Sequence, residues 1–136
     1  MSIITWNDSL SVEITEIDDQ HKQLIVILNE LHEAMKNRVG QQIVGKKLEE
    51  MAKYSKVHFD TEEKYFSLFD YDNSVDHIAE HEKFVVKTDE FKKDLSEGKL
   101  ALSIDVMNFL MKWITDHIMV SDHKYIKCFK EHGLGK

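Results

Sequence analysis

The chain of 136 residues has no proline, one cysteine and only five glycines. Without proline, no residue removes a helical N–H donor and breaks a helix from within. The single thiol, Cys128, cannot close an internal disulfide, which fits a reducing compartment. Long apolar runs are missing as well. The longest, Leu24-Ile25-Val26-Ile27-Leu28, is far too short to cross a bilayer. The first basic residue is Lys22, so the start lacks the charged segment of a signal peptide, and a cytoplasmic location is expected. Positive charge is in deficit: the formal net charge of -7 argues against nucleic acid as the main partner, because phosphate binding needs a basic surface. The scarcity of cysteine meets eight histidines, so any metal site must be built from imidazole and carboxylate.

Four segments carry apolar or ligand-type residues at alternating steps of three and four, the periodicity of helices that share a core. They run His21, Leu24, Leu28, Leu31, Met35; then Leu48, Met51, Ser55, His58, Glu62, Tyr65, Phe69; then His77, His81, Phe84, Thr88, Phe91, Leu95; and Met107, Leu110, Ile114, His117, Ser121, Tyr125. Asp18 or Asp19 offers a cap for the first helix, and Asn37 to Gly40 offers an end. Asp70 to Ser74 separates the second helix from the third. Gly98 stops the third, and Ser103 can cap the fourth. The expectation is one all-α domain over 1–136, an up-down-up-down antiparallel four-helix bundle with helices over about 18–37, 42–69, 74–96 and 103–131. Leu10, Val12 and Ile14 alternate, so 1–17 reads as an extended N-terminal arm.

Histidine stands in these stripes where leucine would be the default. His77 and His81 lie one turn apart, as do His58 and Glu62, so each pair projects from one helix face. Either pair alone is a weak signal. Topology strengthens it: the start of helix one, the end of helix two, the start of helix three and the later part of helix four share one half of the bundle. His21, His58, Glu62, His77, His81 and His117 therefore fall together. With one further acidic ligand, seven buried polar groups at roughly 1–3 kcal/mol each could cancel most of a total stability of roughly 5–15 kcal/mol unless something satisfies them, and metal does so best. His32, about 16 Å along the axis from His21, lies outside the cluster, His123 should face elsewhere, and His132 sits near the end of the chain, where a cation suits the helix dipole. Cys128 reads as a packing residue. Asp60 and Glu63 should face outward. Helical geometry does not choose a last acidic ligand: Asp122 sits ~140° from His117 around an ideal helix, Asp116 ~100°. A local bulge could bring Asp122 inward.

The segments Asp18-Asp19-Gln20-His21-Lys22-Gln23-Leu24, His58-Phe59-Asp60-Thr61-Glu62-Glu63, His77-Ile78-Ala79-Glu80-His81 and His117-Ile118-Met119-Val120-Ser121-Asp122 resemble the hemerythrin family, in its bacterial branch. Trp6 and Ser11-Val12-Glu13-Ile14 are similar to that family's N-terminal arm. The resemblance covers essentially the whole chain. It implies that His77, His81 and His117 bind one iron, that His21 and His58 bind another, and that Glu62 and Asp122 bridge them with an oxo or hydroxo group. It thereby selects Asp122 over Asp116, and iron over the zinc, nickel or copper that the same donors suit. The two-histidine iron would keep an open position for molecular oxygen, walled by Leu24, Leu28, Phe59, Trp113, Ile114 and Ile118. The family usually has leucine where Ile114 stands. The implied function is non-enzymatic oxygen binding for transport, storage or delivery. The alternatives are a di-iron enzyme acting on peroxide, nitric oxide or iron, and an oxygen or redox sensor or iron-storage module.

Overall fold

In the computed structural model, residues 4–37, 41–97 and 104–134 are described. A single 3-10 turn, Asp8–Leu10, opens the chain and is capped by Asn7, whose side chain accepts the Ser9 N–H. Helix α1 spans Thr15–Lys36, α2 Gln41–Phe69, α3 Ser74–Ser96 and α4 Ile104–Asp116. The fourth rod continues beyond α4 through a π-helical stretch, His117–Ser121, and a 3-10 turn, Asp122–Tyr125, into α5, Ile126–Glu131. Among the described residues there is no strand. The architecture is an all-α four-helix bundle. No helix among the described residues is long and apolar enough to cross a membrane.

The start of the first helix and two expected caps differ from the sequence expectation. The arm ends at Ile14 rather than near residue 17, and Ile14 is the helix N-cap without any side-chain cap. Asp18 does not cap α1; it sits in the first turn and reaches back to the arm. Its carboxylate accepts the Val12 N–H at 2.8 Å and the Ser11 hydroxyl at 2.5 Å. An anion there suits the helix N-terminus and ties the arm down in one step. Asn73 precedes α3 but likewise makes no side-chain cap bond. Gly40, Gly98 and Ser103, read as helix punctuation, lie outside the described residues.

The core is interrupted by a polar layer. On one side lies an aliphatic cluster that includes Leu28, Leu31, Leu48, Met51, Leu110 and Ile114. On the other lies a smaller, mainly aromatic cluster around Phe66, Tyr71, Tyr125 and Phe129, joined by Val12, Ile14 and Ile17. Each helix crosses both clusters or borders one of them. On α1 the order is Ile17, His21, Leu24; on α2 it is Phe59, Glu62, Phe66. The polar layer is thus a slice through the bundle, held at one height by all four rods.

Candidate metal centre

The layer consists of His21, His58, Glu62, His77, His81, His117 and Asp122, each at most 3% exposed. Their donor atoms form two groups that share Glu62. One joins Glu62 with His77, His81 and His117; the other joins Glu62 with His21, His58 and Asp122. Within each group the ligand atoms all lie within 4.8 Å of one another. Asp122 also reaches across, its Oδ2 2.7 Å from His21 Nε2 and its Oδ1 2.9 Å from His77 Nε2 and 3.0 Å from His117 Nε2. Neither group contains His32, His123, His132 or Asp116. Asp116 instead pairs with Lys112 on the surface at 2.9 Å.

Asp122 reaches the site because the helix widens there. Its backbone N–H bonds to the carbonyl of His117, a step of five residues instead of four. In an i→i+5 turn the fifth residue comes back over the first, so the ~140° offset of an ideal α-helix largely closes. A π-bulge at a functional site is a recurrent way of re-aiming one side chain.

A second set of residues orients the imidazoles, and the sequence reading missed it. Gln20 Oε1 accepts from His58 Nδ1 at 2.8 Å, Glu63 Oε2 from His81 Nδ1 at 2.9 Å, and Glu80 Oε1 from His117 Nδ1 at 3.0 Å. Glu63 therefore does not simply face outward as expected; it turns toward the next helix. Each supporting residue is the immediate chain neighbour of a site residue on its own helix, and braces an imidazole one helix further on. Adjacency to His21, Glu62 and His81 was the available signal. Tyr125, already in the fourth stripe, donates its hydroxyl to Glu62 Oε2 at 2.5 Å. Burial pushes the Tyr125 hydroxyl well above its ordinary pKa, with Asp122 and Glu62 adding to the effect, so it stays a donor.

The polarity of these bonds tests whether metal belongs here. The Thr61 hydroxyl donates to the Val57 carbonyl and accepts from Gln20 Nε2, which leaves the Gln20 carbonyl to take the proton of His58 Nδ1. Carboxylates do the same for His81 and His117. A neutral imidazole protonated at Nδ1 presents a bare lone pair at Nε2. Yet inside the layer His58 Nε2 lies 3.1 Å from His21 Nε2, His117 Nε2 3.2 Å from His77 Nε2, and His81 Nε2 2.9 Å from Glu62 Oε1. Asp122 Oδ1 is buried with no hydrogen bond of suitable direction. Lone pairs and carboxylate oxygens converging at such distances require positive charge between them, and the donor set suits a pair of cations.

Without cations, protons take that place. Burial pulls the His77 imidazolium down, but Asp122 and Glu62 outweigh it and its pKa is raised to about 9. His117 also lies well above the ordinary value, burial again being overcome by Asp122, Glu62 and Glu80. Burial works to raise both Glu62 and Asp122, the surrounding imidazoles prevail, and both carboxyls sit well below the usual range. His21 is held low by burial in spite of Asp122.

Aromatic rings wall the layer. Phe59 stacks on His81 at 3.9 Å between ring centroids, Phe66 meets His77 edge-on at 4.8 Å, and Trp113 stacks on His117 at 4.4 Å. Leu24, Leu28, Ile114 and Ile118 are buried in the adjoining aliphatic cluster, and Trp113 is half-buried against it. Outside the layer, His132 stacks on Phe69 at 4.6 Å and its Nδ1–H donates to the Cys128 carbonyl, while His32 Nδ1 and His123 Nε2 are buried without a hydrogen-bond partner. Cys128 is half-buried beside the aromatic cluster, its thiol pushed up by burial.

Two buried histidine–carboxylate groups sharing one glutamate, inside a four-helix bundle, define a non-haem dinuclear metal protein. The comparisons agree. The family model Hemerythrin HHE cation binding domain matches residues 12–129. The chain is 28% identical over 128 residues to a bacteriohemerythrin of Clostridium acetobutylicum, covering 91% of this chain and 99% of that protein. It is 30% identical over 132 residues to a bacteriohemerythrin of Stenotrophomonas maltophilia, covering 97% and 85%. A crystal structure of wild-type hemerythrin matches with a TM-score of 0.88 at 27% identity, covering 93% of this chain and 98% of that one. The chain belongs to the hemerythrin family. It is therefore a non-haem di-iron protein of the oxygen-binding type.

Proposed function

We propose that this protein binds molecular oxygen reversibly, through seven ligating side chains, and serves oxygen transport, storage or delivery in the cytoplasm. The observation that carries this reading is the convergence of five imidazole Nε2 atoms on two carboxylates in a dry layer. In this reading, His77, His81 and His117 would hold one iron, His21 and His58 the other, and Glu62 and Asp122 would serve both, the cofactor being a di-iron pair with an oxo or hydroxo group. The second position has one imidazole fewer, which leaves room for a small exogenous ligand. Di-ferrous iron, when bound, supplies the electrons and the coordination site for oxygen.

The chain's own contribution is positioning and exclusion of water. Gln20, Glu63 and Glu80 fix three ring orientations, and Tyr125 fixes Glu62. A hydrogen-bond acceptor on the far ring nitrogen orients a ligating imidazole and raises its basicity. Leu24, Leu28, Phe59, Trp113, Ile114 and Ile118 are assigned as the wall that keeps protons away, since water there would promote irreversible oxidation. Enzymatic turnover of peroxide or nitric oxide would draw on an acid or base near the open position. The support found at the two-histidine group is Gln20, a neutral amide, which favours binding over turnover.

The test is to add oxygen to the anaerobic di-ferrous protein and follow its visible spectrum. A coloured form that disappears when oxygen is removed is the expected result. Immediate conversion to a stable di-ferric form overturns the carrier reading, and zinc in protein from an iron-supplied host overturns the metal assignment.

A further inference from the structure

We propose that Gln20 makes the two metal positions unequal in redox behaviour: a neutral amide braces the two-histidine position while carboxylates brace the three-histidine position, so the latter is oxidised first. This rests on the di-iron reading above and concerns which position takes the first ferric charge.

The asymmetry is on the supporting atoms. At the three-histidine group, two of three imidazoles donate Nδ1–H to carboxylates, His81 to Glu63 at 2.9 Å and His117 to Glu80 at 3.0 Å. The same Glu80 oxygen also accepts the Ser121 hydroxyl at 2.6 Å, which fixes the carboxylate against His117. At the two-histidine group, His58 donates to the amide of Gln20 at 2.8 Å, and His21 Nδ1 has no partner. The amide is held in that sense by Thr61, which accepts its N–H at 3.0 Å and donates its own proton to the Val57 carbonyl. A flip of the amide would break both bonds.

Hydrogen bonds to an ionised acceptor are shorter and about twice as strong as neutral ones. A carboxylate on Nδ1–H shifts electron density toward Nε2 and strengthens the imidazole as a donor. A stronger donor set favours the more highly charged ion. Two carboxylate-backed imidazoles therefore stabilise ferric iron at the three-histidine position, and the single amide-backed one does so less at its neighbour. When an outer-sphere one-electron oxidant such as ferricyanide takes one electron from the di-ferrous protein, it becomes ferrocyanide and the iron held by His77, His81 and His117 becomes ferric. The iron held by His21 and His58 stays ferrous.

The experiment uses the iron-loaded protein with its metal content measured first. Anaerobic spectroelectrochemistry gives the separation between the two one-electron couples, and Mössbauer spectra after one equivalent of ferricyanide identify the ferric position. Gln20→Glu is expected to narrow the separation by at least tenfold in the comproportionation constant, ~59 mV for a one-electron couple. Glu63→Gln and Glu80→Gln are expected to narrow it from the other side, by raising the first potential. A merely structural role would move both couples together or lower iron content without changing their separation, and either result overturns the proposal. If Gln20→Glu does not fold, the two glutamate variants decide the matter alone. Two irons with reversible oxygen binding and an unchanged separation sink this inference and leave the carrier reading standing; protein without iron sinks the carrier reading itself.

Discussion

The two apolar clusters flanking the metal centre differ in chemistry as well as in size. The larger is built mostly from aliphatic chains such as Leu28, Leu31, Leu48 and Leu110, and two of its aromatic members, Phe59 and Trp113, stack on ligand rings. The smaller is aromatic and faces the ligands directly: Phe66 against His77, and Tyr125 bonded to Glu62. Aliphatic side chains gain stability in proportion to buried area and are indifferent to what lies beside them. Aromatic rings carry oriented edges, faces and, in tyrosine, a hydroxyl. One cluster thus secures the fold, and the other helps to set the ligand geometry. The polar layer between them adds little apolar stabilisation and depends on charge to hold together.

The largest expected effect comes from removing that charge. Metal that binds only the folded chain stabilises it by about 4 kcal/mol at a thousandfold excess over Kd, so chelation should lower the melting temperature markedly. In the metal-free protein, stability should also depend on pH through His77. Its folded pKa of about 9 lies above the ordinary 6.5, so the protonated form is favoured by folding. That contribution is fully present below pH 6.5 and is lost as pH rises through about 9. Thermal melts across this range, with and without chelator, check both statements; identical melting of loaded and metal-free protein would show that the layer needs no cation.

Next in size is Leu48→Ala, at a fully buried position of the aliphatic cluster. It should cost about 2–5 kcal/mol in denaturant titration and leave the absorption spectrum of the loaded centre where it was. A shifted spectrum would show that the two clusters are not separable in function. Tyr125→Phe sharpens the comparison from the other side. It leaves the buried Glu62 Oε2 without its donor, a loss of about 1–3 kcal/mol, and should shift the spectrum of the loaded centre. An unmoved spectrum with the same loss of stability would reduce Tyr125 to packing.

How much of this was legible varies by residue. The stripes on α2 and α3 placed His58, Glu62, His77 and His81 on inward faces, because a regular helix repeats every 3.6 residues and turns spacing into direction. Asp122 was not legible in that way, since the fourth rod leaves α-geometry at His117. The family resemblance had pointed to it, and the i→i+5 turn supplies the physical reason. Asp18 looked like a cap and is an anchor for the arm instead, because the chain reaches helical geometry three residues earlier. Glu63 looked like a solvated acid. At the edge of a helix face a glutamate can turn outward or bridge to a neighbour, and its own helix does not say which.

By itself, then, the sequence determined an all-helical chain, with histidine and carboxylate placed where a core would want leucine, because periodicity and composition are local properties. Only the tertiary structure decided which imidazole meets which support. Those bonds join residues 18 to 38 positions apart, across helices whose relative rotation no single segment encodes. The unequal bracing by Gln20, Glu63 and Glu80 belongs to the bundle, since each brace exists only once a second helix is packed beside the first.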